Sequence, residues 1–333
     1  MTDTLRHPVL LHFFTRSETT LRVLERIREA RPPQLFLSCD GARSDRPGER
    51  ERVEDVRRLV LARIDWPCEI HTRFLDDNAG AVKAVAGAVG WFFEQVEAGI
   101  ILEDDCLPDP SFFQFCDELL DKYRDDPRVM SICGNQHLRG RKMGGGASYW
   151  FSTLSSEWGW ATWRRSWALY DFEMRRWPEF RLRRRWLYDR CGRDLFIACR
   201  VHMMLDRIHA GDIRTWDWQF LFAHLAHDGL CIWPAENLVS NIGFGTADAV
   251  NCNNPQAGLA TMPLVPMAFP LRHPPEIRPD LAAVVAEHRF SYGDSAGMPP
   301  FLFVLRYLAT SSIRCMPFLN QRLCRRQPHG PTP

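Results

Sequence analysis

The strongest constraint on the fold is a rhythm: five short strand-like runs in the first 133 residues, separated by four amphipathic stretches. The runs are Pro8 to Thr15, Gln34 to Asp40, Cys68 to Leu75, Gly99 to Leu102 and Val129 to Cys133. Between them, Ser17 to Glu29 carries Leu21, Leu24 and Ile27 at helical spacing, with Thr15 or Ser17 as its N-cap. Arg50 to Ile64, Ala79 to Glu97 and Pro110 to Tyr123 repeat the helical pattern. Strands that alternate with such helices pair through right-handed crossovers, so the expectation is α/β, a mostly parallel sheet flanked by helices. Sheets of this kind bind ligands outside the carboxyl ends of their strands. Asp40 and the cluster Glu103-Asp104-Asp105 both stand at such ends.

Charge and cysteine usage narrow the class of function. Forty-two Lys plus Arg balance forty-one Asp plus Glu, a net charge of +1 that gives no electrostatic case for nucleic-acid binding. The eleven cysteines are scattered singly, with no C-x-x-C pair and no zinc spacing, which suits a reducing, cytoplasmic setting. Met1 to Pro8 lacks the basic region and long apolar stretch of a signal peptide, and no run is long enough to span a bilayer. Beyond Cys133 the texture changes. Nine of the twelve tryptophans fall between Trp150 and Trp218, and residues 164–193 hold ten Arg against four acids. Two further helices, Asp194 to His209 and Trp216 to His227, precede an apolar strand at Leu230 to Pro234. His224 and His227 lie three apart with no acid at metal spacing, so core or surface histidine is the reading.

The run Gly99 to Pro110, GIILEDDCLPDP, carries the chemistry. Three consecutive carboxylates after a buried strand are costly unless something positive sits against them. A divalent cation is the simplest partner, since Mg2+ or Mn2+ takes one or two carboxylates plus diphosphate oxygens. The alternative is a polar strand end solvated by water.

In these features the chain resembles the GT-A fold glycosyltransferases, most closely the N-acetylglucosaminyltransferase I-like nucleotide-sugar transferases and their bacterial relatives. The matching segments are Thr15-Arg16-Ser17 in the first βα turn, Ser38-Cys39-Asp40-Gly41 closing the second strand, and EDDCLPDPSFFQF from Glu103 to Phe115. Trp158-Gly159-Trp160, Trp216-Asp217-Trp218-Gln219 and Asn241-Ile242-Gly243-Phe244-Gly245 follow in order. The set covers about residues 8 to 245. The resemblance implies a nucleotide-sugar-binding half, 1–136, and an acceptor-binding and catalytic half, 137–290; composition sets off a basic apolar tail, 291–333. The same resemblance assigns Asp40 to the uracil ring, Arg16 and Lys83 to the nucleotide, Asp104 to the ribose, Glu103 to the transferred sugar and Asp105 to the metal. Asp217 becomes the general base, and Trp158, Gly159, Trp160, Trp216 and Trp218 flank the sugar and acceptor. The partners are a UDP-sugar, with N-acetylglucosamine as one candidate sugar, and a saccharide or lipid-linked acceptor. Surface polysaccharide or lipopolysaccharide assembly would suit such an enzyme. In one respect the chain departs from the bacterial relatives. They often place a histidine after the Phe-Gly pair, where this chain continues Thr246 to Cys252, leaving Asp248 as a substitute or the loop without a metal contact.

Two other activities compete. A sugar nucleotidyltransferase would show a Gly-rich basic phosphate loop near the N-terminus, and Phe13 to Thr20 (FFTRSETT) has none. A carbohydrate-binding relative without catalysis would not need Glu103, Asp104, Asp105 and Asp217 all in place. The Arg-rich stretch Arg175 to Arg193 is either an anion-binding surface or a solvated helix face paired with Glu179 and Asp189. The tail from Ser295 onward, with five Arg and no acid, either lies on an anionic leaflet or packs back with its Arg in water.

Overall fold

The fold is described from a computed structural model, for residues 5–138, 140–141, 143–244, 262–293 and 299–314. Asp248 and Gly245 lie outside the described residues. In chain order the first half comprises β1 (Val9–Phe13), α1 (Ser17–Ala30), β2 (Gln34–Cys39), α2 (Glu49–Ala62), β3 (Glu69–Phe74), α3 (Ala81–Gln95) and β4 (Ala98–Glu103). A short strand β5 (Cys106–Pro108), α4 (Ser111–Lys122), β6 (Val129–Cys133), β7 (Tyr149–Ser152) and β8 (Trp160–Trp163) follow. The remainder is largely helical: α5 (Arg164–Trp167), α6 (Trp177–Phe180), α7 (Arg184–Arg190), α8 (Leu195–His209), α9 (Asp217–Ala226), strands β9 (Leu230–Pro234) and β10 (Val239–Asn241), then α10 (Leu281–Gly293) and α11 (Pro300–Arg314).

Eight strands form one sheet in the order β3-β2-β1-β4-β8-β6-β9-β7. The first four pair in parallel, as do β6 and β9, while β8 runs antiparallel between β4 and β6 and β7 antiparallel to β9. The crossover rhythm is therefore realised in β1, β2, β3, β4, β6 and β9, and the fold is Rossmann-like mixed α/β. Strands β1, β6 and β9 are buried along their whole length, which is why they are mostly apolar, with only His12 and Ser131 as polar members. The edge strand β3 instead carries Glu69, His71 and Arg73, and edge charges of this kind discourage pairing with another chain.

Helices cover both faces. Val23, Leu24 and Ile27 of α1, Val53, Val56 and Val60 of α2 and Phe112, Phe115 and Leu119 of α4 pack on one side. Val85, Val89 and Phe92 of α3 meet Phe220 and Ala223 of α9 on the other, with Trp160 and Met130 between them. A satellite core joins Trp177, Phe180 and Leu187 to Val201 and Leu205 of α8, closed by Val284 of α10 and Phe303 of α11.

Local chemistry sets the helix starts. Asp194 caps α8 by accepting from the Ile197 amide at 3.1 Å. The first helix departs from expectation: neither Thr15 nor Ser17 caps it. Its N-cap is Arg16, without a side-chain cap, and the Thr20 hydroxyl donates to the Arg16 carbonyl at 2.6 Å. The Arg16 side chain is engaged elsewhere.

The Arg-rich stretch resolves as ion pairs on an exposed face: Arg183 with Glu179, Arg185 with Asp189 at 2.9 Å and Arg193 with Asp189 at 3.2 Å. His224 is a core residue, bonded to the Ser131 hydroxyl and the Phe220 carbonyl. The eight described cysteines are free thiols. Among the middle tryptophans, Trp150, Trp160, Trp163, Trp177 and Trp216 are buried, which leaves Trp158, Trp167, Trp186 and Trp218 with surface to offer. Replacing Trp160 by Ala is expected to cost about 3–5 kcal/mol in urea unfolding, as for other large core aromatics; Trp158→Ala should cost clearly less, and equal losses would contradict this placement.

Candidate active site

The strand order reverses beside β1, whose neighbours are β2 on one side and β4 on the other. Carboxyl ends at such a switch point leave a crevice, because successive crossovers depart in opposite directions. The register places His12 of β1 against Glu103 of β4, and both chains leave the sheet within a few residues. Arg16 comes from one and Asp104 and Asp105 from the other.

The acidic triplet has its positive partner within the chain. Arg16 is ion-paired with Asp104, its Nε also 3.3 Å from Asp104 Oδ2, and its Nη1 lies 3.0 Å from Asp105 Oδ2. Burial works against the guanidinium charge, but the two carboxylates outweigh it and hold the proton more tightly than usual. One arginine does not balance the acids assembled here. Asp104 is almost wholly buried, and burial, only partly offset by Arg16, lifts its carboxyl to about 6. Glu103 is held well above the ordinary carboxylate range by burial and then by the charges of Asp105, Asp104 and Asp217. Both effects favour its neutral form.

Asp217 opens α9 and reaches the same field. Burial raises its proton affinity, while the Thr215 hydroxyl and the Trp218 amide stabilise the ionised form. The Gln219 amide donates to the Thr215 carbonyl at 2.7 Å and fixes the turn before the helix. Sequence reasoning missed one member, Glu157. It is buried, accepts from the Ser155 hydroxyl at 2.7 Å, and burial, then the charge of Asp217, raises its proton affinity well above that of a free Glu. The signal was available: Glu157 is the one charged residue between Tyr149 and Trp163.

Glycines and a small ribbon shape the crevice. Strands β5 and β10 pair antiparallel, Cys106 against Asn241, and the Ile242 amide donates to the Asp105 carbonyl at 2.7 Å. A Cβ on Gly243 would stand 2.5 Å from Asp105 Oδ2 and 2.7 Å from Arg16 Nη1, so only glycine lets this backbone lie over the ion pair. Gly159 has φ +61°, and a Cβ there would meet Val239 at 2.7 Å, so its contribution is backbone placement between β4 and β10.

Other assignments change. The Asp40 carboxylate accepts from the Gly41 and Ala79 amides at 2.9 and 2.8 Å through Oδ1, and from the Asn78 side chain and Gly80 amide at 3.0 and 3.1 Å through Oδ2. A carboxylate has about four acceptor directions, and all are used to staple two loops together, so none remains for a uracil N–H. Trp160 and Trp216 stack at 5.9 Å, with Phe220 and Trp167 against Trp160, which leaves no ring face open to a pyranose. They floor the region beneath Asp217 instead of walling it; among the described residues the Trp160 indole N–H has no partner. Trp158 is half-buried, edge-on to Phe244 at 5.7 Å, and Trp218 is half-buried against the satellite core. Lys83 is exposed on the first turn of α3, and nothing among the described residues ties it to the carboxylates.

For a metal, no three His, Cys, Asp or Glu side chains converge as a ready cage among the described residues. The donors present are carboxylate oxygens in surplus over positive charge. That suits a hard divalent ion bound by one carboxylate and completed by ligand oxygens and water, with half-buried Asp105 as the available protein ligand.

No family model matches the chain, and no curated protein matches it. Solved structures overlap it loosely. HddC from Yersinia pseudotuberculosis shows 9% identity over 52% of this chain and 86% of its own, with a TM-score of 0.32. UDP-glucose pyrophosphorylase complexed with UDP-glucose shows 10% identity over 49% and 78%, TM-score 0.29. Mouse xyloside xylosyltransferase 1 shows 11% identity over 66% and 81%, TM-score 0.29. Likenesses this small carry no weight for fold or activity beside the chain's own geometry.

The folded-state proton affinity of Asp104 exceeds that of a free Asp, so its contribution to stability is present below about pH 4 and lost as pH rises through about 6. Asp104→Asn should therefore melt above the parent protein at pH 8, with the gap closing by pH 4. Melting curves that stay parallel across this range would contradict the burial argument.

Proposed function

We propose that the chain is a metal-dependent, inverting glycosyltransferase of the GT-A type that moves a sugar from a UDP-sugar to a hydroxyl of a saccharide or lipid-linked acceptor. The observation that carries this reading is the pairing of Asp104 and Asp105 with Arg16 at the switch point of the sheet, with Glu103 beside them and the charge of Asp217 felt by both Glu103 and Glu157. Surplus buried acids destabilise a fold, and groups with displaced proton affinity in a crevice mark chemistry. The ordered motifs from Arg16 to Phe244 favour the N-acetylglucosaminyltransferase I-like family. A nucleotidyltransferase fits less well, because the turn between β1 and α1 has no glycine and its one cation is committed to the acids.

In the proposed reaction the acceptor oxygen attacks the anomeric carbon from the face opposite the nucleotide. The bond from that carbon to the diphosphate oxygen breaks, and the electron pair leaves with the diphosphate. Asp217 takes the hydroxyl proton as the new bond forms. Burial makes it a stronger base than a free Asp, and the Thr215 hydroxyl with the helix start orients it. Glu103 and Glu157, whose neutral forms burial favours, hydrogen-bond sugar hydroxyls. Asp104 faces the ribose. Mn2+ or Mg2+ held by Asp105 would offset charge on the leaving diphosphate.

Asp217→Asn should keep the Mn2+-dependent thermal shift produced by a UDP-sugar while transfer falls about 10²–10⁴-fold. Retained turnover would remove Asp217 as the base, and no shift with any nucleotide sugar would remove the donor class. Transfer by the parent protein should decline on acidification, as Asp217 becomes protonated above the usual Asp range.

A further inference from the structure

Ten large apolar side chains are exposed among the described residues, and the five most exposed share one region. They are Leu182 at 80%, Phe301 at 64%, Leu305 at 60%, Leu195 at 49% and Leu302 at 44%. Contacts on α8 draw them together. Phe303 of α11 packs edge-on against Phe196 at 5.4 Å, which sets Leu195 beside the start of α11. Further along, His202 bonds the Tyr307 hydroxyl at 2.6 Å with one ring nitrogen and the Arg181 carbonyl at 2.9 Å with the other, which brings Leu182 to the flank of α11. Phe303, Val304 and Tyr307 turn inward, so Phe301, Leu302, Leu305 and Leu308 form the outward ridge of the helix.

Scattered exposed leucines need no explanation, but a contiguous ridge does. We infer that this ridge is a peripheral docking surface for an anionic phospholipid leaflet. Charge complementarity selects the leaflet. Arg181, Arg183 and Arg185 beside Leu182 are paired with Asp206, Glu179 and Asp189, so the excess positive charge comes from Arg184 and from the segment after Ser295, whose sequence has five Arg, Arg306 on α11 among them, and no acid. A two-fold contact with a second copy would set this basic surface against itself, whereas an anionic headgroup layer attracts it while the apolar side chains enter the acyl boundary. No described helix is long and apolar enough to cross a membrane, so the helix lies on the leaflet.

The full chain should sediment with phosphatidylglycerol vesicles and not with phosphatidylcholine vesicles, and added salt should release it. Phe301→Asp with Leu305→Asp should lower the bound fraction about tenfold, while Leu61→Asp, on α2, should leave it unchanged. Hydrogen exchange over 301–308 should slow on adding phosphatidylglycerol vesicles, a readout that needs no variant. Equal pelleting with both lipids, or none, would overturn the inference. So would a dimer in sedimentation equilibrium that the Phe301/Leu305 double variant dissolves. None of these readouts depends on sugar transfer.

Discussion

The bridge from Arg16 to Asp104 and Asp105 is the constraint on which the site depends. Only three residues separate the end of β1 from the start of α1, so whatever follows that strand must stand at the switch point. Arg16 occupies the cap position yet contributes no cap, because its guanidinium turns to the two carboxylates. Removing Arg16 would leave both carboxylates without a counter-charge, which is far more damaging than the pairing itself is stabilising. Burial and neighbouring charges push Glu103 and Glu157 toward their neutral forms, while Asp104 and Asp105 share one arginine.

The topology explains why distant segments meet. Inserting β8 antiparallel between β4 and β6 carries the chain back toward the ends where Glu103 and Cys133 emerge, since Trp160 pairs with both Ile101 and Cys133. Ser155, Glu157 and Gly159 are delivered to the crevice by that reversal. The stacked Trp160 and Trp216 then fix the start of α9, and with it Asp217. Tryptophans that look like a recognition set in the sequence serve in part as the rigid support of the Asp217 carboxylate.

Much of this was legible. Every expected strand and helix of the first half is present within a few residues, because amphipathic helices leave clear periods and the segments between them, buried except in the edge strand β3, are short and strand-like. The acidic triplet and its place at a strand end were equally readable. What pattern alone could not give was which contact each polar group makes. Asp40 has the right position for base reading, but its loop partners at Asn78 to Gly80 are nearly forty residues away. Arg16 as the counter-charge and Glu157 as a buried acid likewise follow only from tertiary proximity. The antiparallel β8 was invisible because its four residues, Trp160 to Trp163, are too few for a period and sit inside an aromatic cluster.

The ribbon of β5 and β10 has a mechanical consequence. Asp105 is joined to the chain after Asn241 by the Ile242 amide, three paired residues further tie the two segments, and Gly243 lies directly over the Asp105 carboxylate. Displacement of the backbone at Ile242 is therefore levered straight onto Asp105, with little slack to absorb it. Any tension on the chain just beyond Phe244 would register first as a change in where that carboxylate points.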